Sequence, residues 1–170
     1  MRLESLYTIR FFYPDGWQVN LTGKKGTEED HFYFAEGKCE GRISGRFRGS
    51  NHPHRRTDEN FAMNLQGFIE TDDSALIMLD FQGFGRSTDR SQELYKLLPT
   101  PNPATRFRRQ VVGFARHTTD SEKYRWLNDA VCGISGEVRA PTGIPREQVK
   151  QADVKLVFAV AELMWEPPLE

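Results

Sequence analysis

Tyr124, Trp126 and Asn128, spaced two residues apart, carry the most pointed chemistry in the sequence. On a strand they share one face with Ala130 and Cys132, because successive side chains alternate. Lining a cavity, Trp126 would supply an aromatic wall, Tyr124 a phenol able to give or take a proton, and Asn128 an orienting amide. The same alternation also describes a packed core with one amide satisfied by backbone, so both readings stand. Glu162 interrupts the apolar run Val157–Trp165, where a carboxylate has to be exposed, protonated or partnered. Arg10 interrupts the first apolar segment, Leu6–Phe12, in the same way. If those segments pair, Arg10 and Glu162 are expected to meet, as a structural ion pair or as part of a site.

Glu40, Arg42, Ser44, Arg46 and Arg48 alternate with Cys39, Ile43 and Phe47. An ordinary half-buried strand turns such charges to water. Turned inward, Glu40, Arg46 and Arg48 would suit an anionic or enolate-forming ligand, with an arginine stabilising the oxyanion. His52-Pro53-His54 with Glu59 approaches the first metal motif of cupins. The gaps differ by a residue, Pro53 disfavours a central strand, and Arg55 and Arg56 crowd the place with positive charge. His117 lacks the Pro-x-Gly context of a second motif and reads as a polar surface residue, so no metal is expected. Walker loop, dinucleotide fingerprint, nucleophile elbow and Cys/His protease signature are all missing. Chemistry here would need no cofactor, only placed acids, bases and dipoles.

The elements that would position these groups are strands. Runs of β-branched and aromatic residues end at Gly, Asp, Asn or Pro. They predict strands over Leu3–Tyr13, His31–Lys38, Cys39–Arg48, Phe61–Glu70, Ala75–Phe84, Arg108–Thr118, Tyr124–Val138 and Val154–Trp165. Thr71-Asp72-Asp73-Ser74 and Thr119-Asp120-Ser121-Glu122 supply polar hairpin turns. Only Ser91–Leu98 and Pro145–Gln151 look helical, and Gly85–Arg106, with three prolines, reads as a loop over one end. The first and last strands are apolar on both faces, so pairing them would remove two exposed edges. The expectation is an all-β, single antiparallel barrel of about eight to ten strands, of the lipocalin or allene-oxide-cyclase kind. Gly37, Gly41, Gly45 and Gly49 fall on one face of it, where curvature or close approach is needed.

Gly37-Lys-Cys-Glu-Gly41-Arg-Ile-Ser-Gly45, then Glu70-Thr-Asp-Asp-Ser-Ala75, Tyr124-Arg-Trp-Leu-Asn128, Gly133-Ile-Ser-Gly136 and the closing Glu162 follow in order. In this the chain resembles the small β-barrel proteins catalogued as domain of unknown function 3237. The resemblance spans nearly the whole chain and implies one antiparallel barrel with a central cavity. It implies little chemistry, since that family is known mainly by its fold and often sits beside genes for aromatic or polyketide metabolism. Two departures stand out: Arg42 where the family often has proline, and the basic segment Asn51–Arg56.

The 170 residues suit a single domain, and 38% hydrophobic with 12% aromatic content can fill its core. With 23 basic against 24 acidic residues the chain lacks the excess a nucleic-acid binder uses on phosphates. No run approaches the roughly 20 apolar residues of a membrane span, and Glu4 interrupts any leader, so a cytoplasmic location is expected. Cys39 and Cys132 set neither metal spacing nor a disulfide framework. The leading expectation is a cofactor-independent enzyme of lyase, isomerase or cyclase type acting on an apolar aromatic or polyketide-like molecule. Glu162 is its candidate base, with Glu40 and Asp80 behind it; Tyr124 moves a proton and Arg46 steadies the oxyanion. Trp126, Asn128, Arg48, Glu40 and Arg10 would bind the substrate. A carrier of lipocalin type fits the same pocket, and an oligomerising, solidly packed barrel is the third reading.

Overall fold

Along strands such as Phe61–Thr71 and Lys155–Met164 buried, mostly apolar residues alternate with more exposed ones, so one face of the sheet turns inward as it closes. The structure, a computed structural model, describes residues 2–57, 60–86, 105–141, 148 and 150–166. Its strands are β1 (Arg2–Phe12), β2 (Gly16–Gly23), β3 (Gly26–Gly41), β4 (Gly45–Asn51), β5 (His54–Arg55), β6 (Phe61–Thr71), β7 (Leu76–Arg86), β8 (Thr105–Thr118), β9 (Cys132–Pro141) and β10 (Lys155–Met164). All pair antiparallel, in the order β1-β10-β9-β8-β7-β6-β4-β3-β2. A β1–β3 ladder closes eight of them into an all-β barrel, with β2 and β5 outside the ring. Among the described residues no helix is long and apolar enough to cross a membrane.

The first and last strands are neighbours, as their two-sided apolarity implies. Their register sets Arg10 opposite Val157 and Glu162 opposite Glu4, so the expected meeting of Arg10 with Glu162 does not occur. The Phe61–Glu70 and Ala75–Phe84 hairpin also forms. At its turn the Thr71 hydroxyl donates to Asp73 at 2.6 Å and accepts the Ala75 N–H at 2.8 Å.

Two strand expectations are corrected. Cys39–Arg48 is a hairpin corner and not one strand: β3 stops at Gly41, Ser44 Oγ donates to the Gly41 carbonyl at 3.1 Å, and β4 starts at Gly45. Tyr124–Val138 splits into a short 3-10 turn, Glu122–Asn128, followed by β9. The unforeseen strand β2 and the first half of β3 form a hairpin reaching beyond the barrel. The helix over Ser91–Leu98, most of the loop Gly85–Arg106 and most of Pro145–Gln151 lie outside the described residues.

Phenylalanines fill the waist of the barrel. Phe11 lies 5.8 Å from Phe47 and 5.3 Å from Phe158, which lies 5.6 Å from Phe81, centroid to centroid. Glycines on the inward register make room for these rings. A Cβ on Gly67 would sit 2.7 Å from the Phe47 ring, and one on Gly113 would sit 2.7 Å from the Phe81 ring.

Candidate functional site

Beyond this waist, the barrel end reached by the β2–β3 hairpin holds a connected set of polar side chains. Glu29, His31 and Tyr33 share the face of β3 that continues into the barrel as Ala35, Gly37 and Cys39. His31 is held by its backbone, whose N–H donates to the Pro53 carbonyl at 3.1 Å. The Tyr33 oxygen is 2.6 Å from His31 Nδ1, and the Glu29 carboxylate is 3.3 Å from Nε2. Arg55, opposite Glu29 in the β3–β5 ladder, donates to its other oxygen at 2.5 Å. Tyr13 stacks on Tyr33 with centroids 4.5 Å apart and accepts a hydrogen bond from the fully buried Asn51 at 2.5 Å.

The electrostatics of this set give it a direction. A carboxylate beside Nε2 favours the tautomer with its proton there, which leaves Nδ1 to accept the Tyr33 hydroxyl. The set places a phenol, an imidazole and a carboxylate in series, the order a proton relay uses. Arg55 holds the carboxylate by its other oxygen.

The opposite end is different in kind. Tyr7 and His117 are both buried and 2.8 Å apart, and His117 Nδ1 has no partner among the described residues. Burial pushes His117 down to about 4 and Tyr7 well above its ordinary value. His117 is thus a core residue, contrary to the surface position expected for it. Burial raises the Cys39 thiol to about 12, and burial with the nearby Glu162 raises Cys132 to about 11, so neither is a thiolate near neutrality.

The sequence profile described as "Protein of unknown function (DUF3237)" matches residues 1–146. The chain belongs to this family. No protein of curated annotation is similar enough to match it. Among solved structures, a β-barrel-like protein from Acinetobacter baumannii superposes with a TM-score of 0.67 at 19% identity, covering 96% of both chains. A protein of unknown function from Clostridium acetobutylicum gives 0.68 at 15% identity over 96% of this chain and 100% of that one. An enzyme from Penicillium herquei gives 0.55 at 16% identity, over 94% of this chain and 93% of that one. At these identities the likeness is one of fold.

In this DUF3237 chain the residues singled out from sequence are dispersed. The 3-10 turn breaks the parity of Tyr124, Trp126 and Asn128, so they do not share a face. Tyr124 donates from its hydroxyl to the Asp73 carboxylate at 3.1 Å and ties the turn to the β6–β7 hairpin. Hydrogen bonds, first among them that from Lys123, hold the Asp73 carboxyl down to about 2. Trp126 lies under the Arg42 guanidinium, 4.8 Å from its ring centroid. Asn128 is a backbone clip, accepting from the Thr119 N–H at 2.8 Å and donating to the Thr119 carbonyl at 2.9 Å.

The charged alternation points outward, because Cys39, Ile43 and Phe47 take the interior. Arg10 donates to Glu40 at 2.6 Å, Arg46 lies 3.7 Å from Glu36, and Arg48 lies 3.7 Å from Glu70, all exposed. Of the proposed site residues, Arg10 and Glu40 meet. Glu162 keeps the inward register, half-buried beside Cys132. Asp80 faces outward, 3.5 Å from Arg116, in a surface groove of about 480 Å³ that Asn128 also borders. His52 is 3.2 Å from Ser50 and His54 is 2.7 Å from Asp30, while Glu59 lies outside the described residues. Among the described residues no three His, Cys, Asp or Glu side chains converge to hold a metal ion.

Sequence reasoning missed Glu29, His31 and Tyr33. Their spacing carries the same alternation as Tyr124, Trp126 and Asn128, and reading 26–30 as strand would have exposed it.

Proposed function

We propose that this barrel takes an apolar, aromatic or polyketide-like small molecule at its Tyr33 end. It acts on that molecule by cofactor-free acid–base chemistry of lyase, isomerase or cyclase type. The observation that carries the reading is the Glu29–His31–Tyr33 series beside the stacked ring of Tyr13. Tyr33 passes its proton to His31 Nδ1, and the phenolate takes a proton from a carbon next to a substrate carbonyl. The resulting enolate closes a ring, expels a group or regains a proton at another carbon, and the Tyr33–His31 pair resets. That a fold relative from Penicillium herquei is an enzyme is compatible with turnover in such a barrel.

Deuterium uptake next to the carbonyl of aryl ketones in heavy water, followed by NMR, tests this directly. The wild type should accelerate uptake, and Tyr33→Phe should slow it by roughly 10²–10⁴ with ketone affinity nearly unchanged. Ketone binding without any uptake would replace the enzyme by a carrier. Uptake equal in wild type and Tyr33→Phe would remove Tyr33 from the chemistry.

A further inference from the structure

Strand β2 is the outer edge of the sheet, and among the described residues it pairs only with β3. The Asp15 carbonyl accepts from the Phe34 N–H at 3.0 Å. The register continues as Trp17 opposite Phe32, Val19 opposite Asp30 and Leu21 opposite Glu28. Odd-numbered residues therefore turn their backbone groups to β3, and Gln18, Asn20 and Thr22 turn theirs to open solvent. Natural edges of this length are guarded by charge, proline or a bulge. Gly16–Gly23 has no charged residue and no proline, and its ladder runs without a register shift.

The side chains are sorted as well. Trp17, Val19 and Leu21 lie on one face, 57%, 71% and 71% exposed, and Phe34 extends the stripe beside Trp17 at a ring distance of 6.0 Å. Gln18, Asn20 and Thr22 occupy the other face.

We infer that β2 is a self-association edge, pairing antiparallel with β2 of a second copy across a two-fold axis at Val19. Three independent features fit that one register. Gln18 and Asn20 become mutual hydrogen-bonded pairs, as the outward direction of their backbone groups requires. Trp17 falls opposite the partner's Leu21, and Val19 opposite the partner's Val19, so apolar side chains meet apolar ones. Lys24 and Lys25 at the hairpin tip come alongside the partner's Asp15 at the foot of its β2, opposite charge against opposite charge. An isologous interface demands this self-complementarity, whereas an unrelated strand would need only the open edge. Because β2 is bonded to the part of β3 that carries Glu29, His31 and Tyr33, pairing would also brace that end of the barrel.

Sedimentation of the full chain over a range of concentrations should give twice the chain mass, and Val19→Lys should give the single-chain mass by setting two like charges face to face. Thermal melts show whether Val19→Lys is folded. Should it fail to fold, Val19→Cys decides. In this register the two Val19 positions form a non-hydrogen-bonded pair with Cα atoms about 4.5 Å apart, within disulfide reach. Val19→Cys should oxidise to a covalent dimer, while Gln18→Cys, which faces the partner's Asn20, should not. A wild type monomeric at every concentration, an oligomer that a folded Val19→Lys leaves intact, or equal cross-linking of the two cysteine variants would overturn the inference.

Discussion

Acidification should loosen the His117 end of the barrel well before the Asp73 carboxyl takes up its proton. In the folded chain His117 is neutral, its pKa lowered by burial from 6.5 to about 4. The unfolded chain takes up the proton first, so this contribution to stability is complete above about pH 6.5. It is lost as pH falls, fully so near pH 4, below which both states carry the proton. Between those limits the loss is about 3 kcal/mol, at 1.36 kcal/mol for each decade of proton concentration. The Asp73 carboxyl, held to about 2, takes up its proton only below this window.

Urea unfolding at fixed ionic strength, repeated from neutral pH to pH 4, measures the loss. The decisive quantity is the difference between wild type and His117→Gln. Glutamine keeps a polar group facing the Tyr7 hydroxyl and has no proton to gain. Tyr7→Phe should lower stability yet keep the acid loss, since burial and not the Tyr7 bond is its cause. If His117→Gln loses as much stability in acid as the wild type, the reasoning fails.

Tyr124→Phe should lower the melting temperature by about 2–4 °C through the lost bond to Asp73, and should leave small-molecule affinity unchanged in a binding titration. Gly113→Ala should cost about 1–3 kcal/mol in urea unfolding, because its methyl group would meet the Gln82 carbonyl and Gly83 Cα of the paired strand as well as the Phe81 ring; unchanged stability would mean that β7 and β8 pack less closely than described.

The barrel was legible because its signals are local. Alternation and turn residues mark Phe61–Glu70 and Ala75–Phe84, which form β6 and β7 within two residues at each end, and the two-sided apolarity of β1 and β10 identifies them as neighbours. Tyr124–Asn128 misled because period-two spacing is also compatible with a tight turn. What holds that turn is a contact with Asp73, about fifty residues away in sequence, which no local pattern reports. The outward face of Arg46 and Arg48 was readable from Phe47 alone, since one register cannot bury both sets. His31 stayed hidden because its neighbours Glu28, Glu29 and Asp30 look like a solvated charge run. Pairing with β5 turns Glu29 toward Arg55 and makes that run part of a ladder.

The phenylalanine waist has a consequence for traffic. Phe47, Phe11, Phe158 and Phe81, in contact one with the next, set a row of rings across the middle of the barrel. On the proposed function, a molecule admitted beside Tyr33 would have to leave by the way it came, and a second reactant would have to use the same entrance. On that reading the rings would cap substrate depth, so selectivity for length would be set at the floor and selectivity for chemistry at the rim. Shaving a floor residue such as Phe47 would then be the route to longer ligands, with the rim residues Glu29, His31 and Tyr33 left untouched.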